Sequence, residues 1–482
     1  VPQAIGLLDE ALQLWSAGPD ETPEDAIARV TATVHRWRLR FLLDEHAFYE
    51  ADGPANAAEC ARTLDQLHAP EPAAAAWTLV GQSEWMRGNR GAALTCLDRA
   101  LSVFADATDS PAKAAVHAEL ARLRMVNYET EPAIEAARAA SAMAERLGLA
   151  ELSANAQITE GCARYLGGDP AGLSLLERAV ERCRTDQLRS FRRASQNLAS
   201  ALLEEGEIAR SLALLHEVSA QFVGDAAAAV PNFCDESTQA YYAGDWARTI
   251  AAADEFVRRS DHERASPEVL ALRAQNAWLR TLRGEPANED LDECLELARQ
   301  GGFRLTVATV LAHGALCRAL VGDQDGAQEY MHALAAEYTS EAFASREWLA
   351  AAAHAASLTT GDRASWLRGV LDAVPRETLW VRAARAVVDG GIADHDGNHG
   401  TAALRYSVAA SVYERMGNAT DGALATTWAV RASHAAGDPG TARGIAHRLT
   451  EFAVRNHAPL LLRLAKEGPS AVQSSSRPAS IA

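Results

Sequence analysis

The sequence predicts an all-α fold, a superhelical stack of about eleven helical hairpins, and three observations carry that prediction. First, a short signal recurs, in which a Gly is followed by an acidic or amide residue, two or three variable residues and a small residue. It reads Gly88-Asn89-Arg90-Gly91-Ala92, Gly168-Asp169-Pro170-Ala171, Gly206-Glu207-Ile208-Ala209 and Gly244-Asp245-Trp246-Ala247. It returns at Gly284, Gly322, Gly361 and Gly437, with weaker members at Gly53, Tyr128 and Gly397, and successive members lie 35 to 40 residues apart. Second, apolar residues between these points keep helical spacing. Leu198, Ala201 and Leu202 precede Gly206, Leu212, Leu215, Val218 and Phe222 follow it, and no strand-like alternation of useful length appears. Third, a column of small residues stands seven positions before the Gly: Gly81, Gly161, Ala199, Ser237, Ala277 and Ala315.

The signal has a physical reading. Gly ends a helix because it takes the left-handed conformation without a Cβ clash. The Asp, Glu or Asn after it can accept hydrogen bonds from the free N–H groups of the next helix. Pro170, Pro286 and Pro439 fall where a missing N–H costs little. Each signal is therefore a turn between a helix A and a helix B, and the small column lets A and B approach closely.

From the N-terminus, residues 1–52 read as helices that begin in mid-repeat. Ala4-Ile5-Gly6-Leu7-Leu8-Asp9-Glu10-Ala11-Leu12 looks like a B helix without its A partner, and the chain does not start with Met. A solenoid end without a polar cap exposes core surface, so a truncated repeat continuing an upstream domain is expected. Residues 53–456 form the repeat solenoid, because hairpins of this length cannot bury their apolar faces alone. Residues 457–468 hold one short helix, with Leu460, Leu461, Leu462 and Leu464, that would cap the stack. Residues 469–482 are polar, small and turn-rich, and are expected to be disordered. No compact DNA-reading domain fits after Gly437.

Composition excludes several classes. Lys+Arg is 46 against Asp+Glu 64, a formal net charge of −18, which disfavours contact with phosphate backbones. No stretch approaches the roughly 18 apolar residues of a membrane span, so a soluble, cytoplasmic protein is expected. Lys113 and Lys466 are the only lysines, and neither follows a glycine-rich turn, so no Walker-type nucleotide site is encoded. The seven cysteines contain no C-x-x-C and read as small buried hydrophobes of a reduced compartment. No metal site and no cofactor are expected.

Asn197-Leu198-Ala199, then Glu204-Glu205-Gly206-Glu207 and Ser211-Leu212, stand in the register of the motif positions of tetratricopeptide repeats, and the chain resembles that family from about Asp52 to about Asn456. The resemblance implies a right-handed superhelix with a concave groove lined by A helices. The ordinary unit has about 34 residues, and the units here are longer. The longer unit, the Ala/Arg/Leu-rich composition and the scarcity of Lys resemble the helical arm of large actinobacterial regulators of the LuxR or maltose-activator type. In that group an ATP-binding module, sometimes with a cyclase, precedes the repeats.

Nine residues before the hinge Gly lies a polar column: Thr159, Asn197, Asp235, Gln275 and His313. In tetratricopeptide repeats that position faces the groove, so these five are the candidate ligand or partner residues, against the alternative of a merely wet inner face. The column fails at Leu79, Ala352 and Trp428. Arg182, Arg184, Arg189, Arg192 and Arg193 form a basic cluster, and Arg36, Arg38 and Arg40 alternate with Trp37 and Leu39; the acidic total favours ordinary surface charge for both. His395-Asp396-Gly397-Asn398-His399 has metal-like spacing but lies on a hinge, where turn chemistry accounts for it. The ten Trp read as core, and no catalytic arrangement is legible.

The expectation is a non-catalytic repeat scaffold that binds a protein or peptide, or a small-molecule effector. It would serve as the sensor or regulatory arm of a cytoplasmic signalling ATPase or transcriptional regulator, without itself touching nucleic acid. A free-standing scaffold is the alternative, and an enzyme of the α/α-toroid type, closed around carboxylates, a remoter one.

Overall fold

The computed structural model of the chain describes residues 2–15, 21–43, 45–87, 89–104, 108–221, 236–259, 266–285, 288–301, 304–338, 345–359, 362–374 and 376–467. Asp235 and the segment 469–482 lie outside the described residues. Among the described residues all regular structure is helical. The chain divides into two compact units, Val1–Leu198 and Ala199–Ala482.

The first unit holds α1 (Pro2–Leu14), α2 (Pro23–Leu43), α3 (Glu45–Glu50), α4 (Gly53–Gln66), α5 (Pro70–Met86), α6 (Arg90–Ser102), α7 (Pro111–Val126), α8 (Thr130–Arg146), α9 (Ala150–Leu166) and α10 (Ala171–Thr185). The division falls within α11 (Phe191–Glu205). The second unit continues with α12 (Ile208–Gln221), α13 (236–243), α14 (Trp246–Arg259), α15 (Pro267–Leu282), α16 (Asn288–Gly301), α17 (Arg304–Leu320) and α18 (Gln324–Glu337). It ends with α19 (Arg346–Leu358), α20 (Arg363–Ala373), α21 (Leu379–His395), α22 (His399–Met416), α23 (Ala419–Ala435), α24 (Pro439–Arg455) and α25 (Pro459–Glu467). The odd-numbered helices from α5 to α23 are the A helices, and each is followed by its B helix.

The turns behave as the residue chemistry dictates. Gly168, Gly206, Gly244, Gly284, Gly322, Gly397 and Gly437 take φ between 72° and 86°. Where the repeat lacks a hinge glycine, Tyr128 accepts the same conformation at 62°. At the first hinge the left-handed residue is Asp52, at 53°, while Gly53 already begins α4. The Asp323, Asn398 and Asp438 side chains accept from the backbone N–H of Gly326, Thr401 and Thr441, capping the B helices.

The small column does the packing expected of it. A Cβ on Gly81 would lie 3.1 Å from the Ala93 carbonyl, and one on Gly161 3.0 Å from Leu176. Ser211 Oγ donates to the Ala199 carbonyl at 2.8 Å and Ser237 Oγ to that of Thr249 at 3.1 Å, each tying an A helix to its B helix. Of the ten Trp, Trp246, Trp278, Trp348 and Trp428 are fully buried, whereas Trp15 is exposed. All six described cysteines are free thiols, and burial pushes Cys162 and Cys317 up to about 12.

The two units bury their apolar surface differently. In the first, the core is a series of separate clusters, such as Trp85, Ala93, Leu97, Leu120 and Leu123 between neighbouring hairpins. In the second, one large core runs from Leu203 to Ala465, beside a small separate cluster of Ala253, Phe256, Val269 and Leu272. The reason is a set of contacts between hairpins far apart in sequence. Trp380 Nε1 donates to the Leu203 carbonyl at 2.6 Å, and Tyr241 Oη to Asp421 Oδ1 at 3.0 Å. The Asn456 side chain brackets the α13–α14 turn, accepting from Trp246 N at 2.9 Å and donating to the Gly244 carbonyl at 3.0 Å.

Candidate functional site

In the first unit the A helices α5, α7, α9 and α11, with α2, line one groove of about 450 Å3. Its apolar floor includes Ala75, Leu79, Val116 and Leu152, and its polar groups are Arg38, Thr78, Gln82, Glu119, Arg122, Asn155, Thr159 and Arg193. Counted back from the hinges, these residues share one register. Asn155 and Arg193 stand thirteen before Gly168 and Gly206; Leu79, Glu119 and Thr159 stand nine before residues 88, 128 and 168; Gln82 and Arg122 stand six before residues 88 and 128. Steps of four and three keep residues on one helix face, so the repeat itself aims these side chains at the groove.

Glu119 and Arg122 form a bidentate pair, Arg122 Nη2 to Glu119 Oε1 at 2.5 Å and Nε to Oε2 at 3.0 Å. Burial pushes the Glu119 carboxyl upward, but the hydrogen bonds and charge of Arg122, with a hydrogen bond from Gln82 and the charge of Arg193, outweigh it and leave the carboxyl below its usual value. Arg193 has no such partner. Its guanidinium donates to the Asn155 carbonyl at 2.8 Å, to Asn155 Oδ1 at 3.1 Å and to Thr159 Oγ1 at 2.8 Å, all neutral oxygens. Burial, with repulsion from Arg122, outweighs the raising influence of Cys162 and of the Glu119 carboxylate and lowers its pKa from the ordinary arginine value. The start of α11 is fixed by Glu151, whose carboxylate accepts from Ser190 Oγ at 2.5 Å and Ser190 N at 3.2 Å. That clamp places Arg193 over α9.

The sequence-derived column distributes over different surroundings. Thr159 lies in the groove, buried and engaged with Arg193. Asn197 is half-buried behind it, with Nδ2 donating to the Arg193 carbonyl at 2.8 Å and Oδ1 accepting from the Cys162 thiol at 3.1 Å. Gln275 and His313 belong to the second unit, where they line a cavity of about 200 Å3 with Tyr241, Tyr242, Arg346, Trp380 and Asp421. There His313 is 6% exposed, its Nε2 lies 3.2 Å from the Glu347 carbonyl, and burial pulls its pKa down to about 4. Asp235 lies outside the described residues.

The inner face of the second unit is largely filled by its own side chains. Glu204 accepts from Ser345 Oγ at 2.7 Å and Arg346 N at 2.9 Å, while Asp421 accepts from Tyr241 and from Asn418 Nδ2 at 2.6 Å. Burial pushes both carboxyls up to about 6, against the lowering effect of these donors. Both carboxylates hold distant hairpins together rather than facing an open centre. A further cavity of about 650 Å3 between α22, α23 and α24 is lined by small residues such as Ala410, Gly422 and Ala429, by Ile445, Leu449 and Phe452, and by polar groups including Glu414, Asn418 and Arg448. Its Ser407 and Thr426 hydroxyls donate to carbonyls of their own helices, Asn418 Nδ2 donates to Asp421, and Arg448 pairs with Glu414 at 3.5 Å, so its polar groups are engaged with one another or with their own helices.

The other motifs dissolve into local structure. Arg182 donates to Ser153 and Gln157, and Arg184 pairs with Glu181. Arg36 and Arg40 reach Asp9 and flank Trp37, leaving Arg38 to the groove. His399 Nδ1 lies 2.7 Å from Asp394 Oδ1 at its hinge. Among the described residues no group of three or more His, Cys, Asp or Glu could hold a metal ion. No described helix is long and apolar enough to cross a membrane.

Counting from Gly alone overlooks Glu119, whose hinge residue is Tyr128, and the flanking positions that supply Gln82, Arg122, Asn155 and Arg193. The register of the repeat contains all five once Tyr128 is taken as a hinge.

No family model matches the chain, and no curated protein does. Among solved structures, the apo form of the quorum sensor NprR from B. thuringiensis is 11% identical at a TM-score of 0.32, covering 88% of this chain and 98% of that one. The Cut9–Hcn1 hetero-tetramer of the APC/C is 11% identical at 0.42, covering 97% and 96%. A Rap protein complexed with competence and sporulation factor is 13% identical at a TM-score of 0.51, covering 70% of this chain and 97% of that one. The likeness to the Rap protein is one of fold, and with the repeat geometry it makes this chain an all-α, tetratricopeptide-like helical solenoid.

Proposed function

We propose that the chain is a non-catalytic binding scaffold whose first unit receives a protein or peptide segment in the groove between α2, α5, α7, α9 and α11, and that it works as the sensor arm of a larger signalling ATPase or transcriptional regulator. The carrying observation is the contrast between inner faces. The first unit keeps a polar groove of about 450 Å3, whereas the second packs its inner face with Tyr241, Arg346, Trp380 and Asp421 around about 200 Å3. A groove of the first size, with an apolar floor and a few convergent polar groups, suits a ligand. The Rap protein of this fold was solved in complex with competence and sporulation factor, which supports a binding role.

The test is a random octapeptide display library panned against the whole protein. The Thr78→Trp variant fills the groove, and Thr95→Trp, at an exposed position on α6, serves as control. Peptides that bind the native protein and the control but not Thr78→Trp are expected; a pool indifferent to Thr78→Trp would remove the groove from the proposal. The regulatory-arm part has its own test, an immunoblot of source cells. A native polypeptide well above 51.4 kDa supports an arm, and one of that mass a free-standing scaffold.

A further inference from the structure

We propose that the occupant of the first unit's groove is an acidic peptide segment, whose side-chain carboxylates are received by Arg193 and Arg122 on one side and Arg38 on the other. The inference rests on the groove reading above and adds the chemistry of the ligand.

Charge balance leads there. The chain as a whole carries −18, yet the groove gathers three guanidinium groups against the single carboxylate of Glu119. Several arginines of the unit are neutralised locally, as Arg164 is by Glu160 and Asp169. Arg193 differs: although largely buried, it is held by neutral oxygens of Asn155 and Thr159, and among the described residues it makes no ion pair. Glu119, the carboxylate that acts on Arg193, does so across space and is bound to Arg122. A guanidinium largely withdrawn from water therefore gains from an anion that reaches it directly, and planar N–H groups suit a carboxylate.

The pair Glu119–Arg122 lies beside it. The Glu119 side chain is 14% exposed, whereas that of Arg122 keeps 37%, so Arg122 can share a second carboxylate without releasing Glu119. Arg38, on α2 at the far side, is exposed. Adjacent packed helices run about 8–10 Å apart, and the three cations stand on α2, α7 and α11, with α5 and α9 between them. Charges spaced this way suit several carboxylates along an extended segment. A lone phosphate would fill little of about 450 Å3. The floor of Ala75, Leu79, Val116 and Leu152 offers apolar contact between the charges.

The closing experiment reads the composition of the groove-dependent octapeptide pool, defined by its loss on Thr78→Trp. Asp and Glu are expected to be enriched at least threefold over the input library. Individual peptides, with blocked ends, should lose about tenfold in affinity with Arg193→Gln or Arg122→Gln, lose less with Arg193→Lys, which keeps the charge but not the planar donors, and bind more weakly as salt rises. Glu119→Gln should tighten them several-fold by releasing Arg122. Because Arg193→Gln removes bonds to Asn155 and Thr159, the exposed Arg38→Gln provides a variant without a folding cost, with an expected loss of about threefold. A groove-dependent pool that is neutral or basic would overturn the acidic ligand while leaving the groove intact. Inorganic phosphate alone raising the melting temperature through Arg193 would overturn the peptide in favour of a free anion. No groove-dependent pool at all would remove both readings.

Discussion

Buried carboxylates at Glu204 and Asp421 show how single residues set the condition under which this protein is stable. Asp421 is pushed up to about 6 by burial, although Tyr241 and Asn418 donate to it. Its folded value lies above the ordinary aspartate value, so its contribution is fully present below about pH 4 and is lost as pH rises through about 6. A shift of this size corresponds to roughly 3 kcal/mol. Asp421→Asn keeps an acceptor for Tyr241 and removes the titration. The difference in melting temperature between Asp421→Asn and the native protein should therefore move in favour of the variant as pH rises from 4 to 7. A difference constant with pH would show that the carboxyl ionises without penalty. His313 has the opposite linkage: burial pulls it down to about 4, so its contribution is present above about 6.5 and lost as pH falls through 4. The two are separable because they act over opposed directions of pH.

At the scale of the element, the helix–turn–helix hinge carries the repeat, and its glycines are not equivalent. Gly437 has φ of 75° with nothing near the position of a Cβ, so Gly437→Ala should cost about 1 kcal/mol from the left-handed conformation alone. Gly206 has φ of 84°, and a Cβ there would lie 2.7 Å from Met416 Sδ and 2.9 Å from Leu379 Cβ. Gly206→Ala should cost about 2–4 kcal/mol, the same conformational penalty with overpacking added. Urea denaturation of both variants checks the order, and equal costs would mean that Met416 and Leu379 yield without strain. The hinge was legible in the sequence because a left-handed residue followed by a cap has a narrow chemical menu. Tyr128 and Asp52 are the places where that menu was widened, and there the bare glycine count loses the register or shifts it by one.

For the whole molecule, the contrast between the two units predicts how they open. A stack whose hairpins touch only neighbours gains stability as a sum of local interfaces. That describes the first unit, with its separate clusters. In the second unit Trp246, Trp380 and Tyr241 join hairpins more than 170 residues apart, and one large core spans most of it. Amide hydrogen exchange should accordingly be slower in α15, α17, α19 and α21 than in α5, α7 and α9. Trp246→Ala should cost about 3–5 kcal/mol and accelerate exchange at α23 and α24, where Thr420 and Phe452 meet that ring. Exchange confined to α13 and α14 in that variant would mean that the distant hairpins do not support one another.

What the sequence by itself determined was the helical class, the repeat and the helix face that turns inward, because turn chemistry and apolar spacing are local properties written every 35 to 40 residues. Thr159 followed directly from that register, and Glu119, Arg122, Asn155 and Arg193 were contained in it. Only the tertiary structure decided which inner face stays open. Gln275 and His313 occupy the same register as Thr159, yet they face side chains contributed by hairpins distant in sequence. Whether a side chain meets solvent or the ring of a residue such as Trp380 depends on how the later hairpins pack back onto the earlier ones, and no local spacing records that.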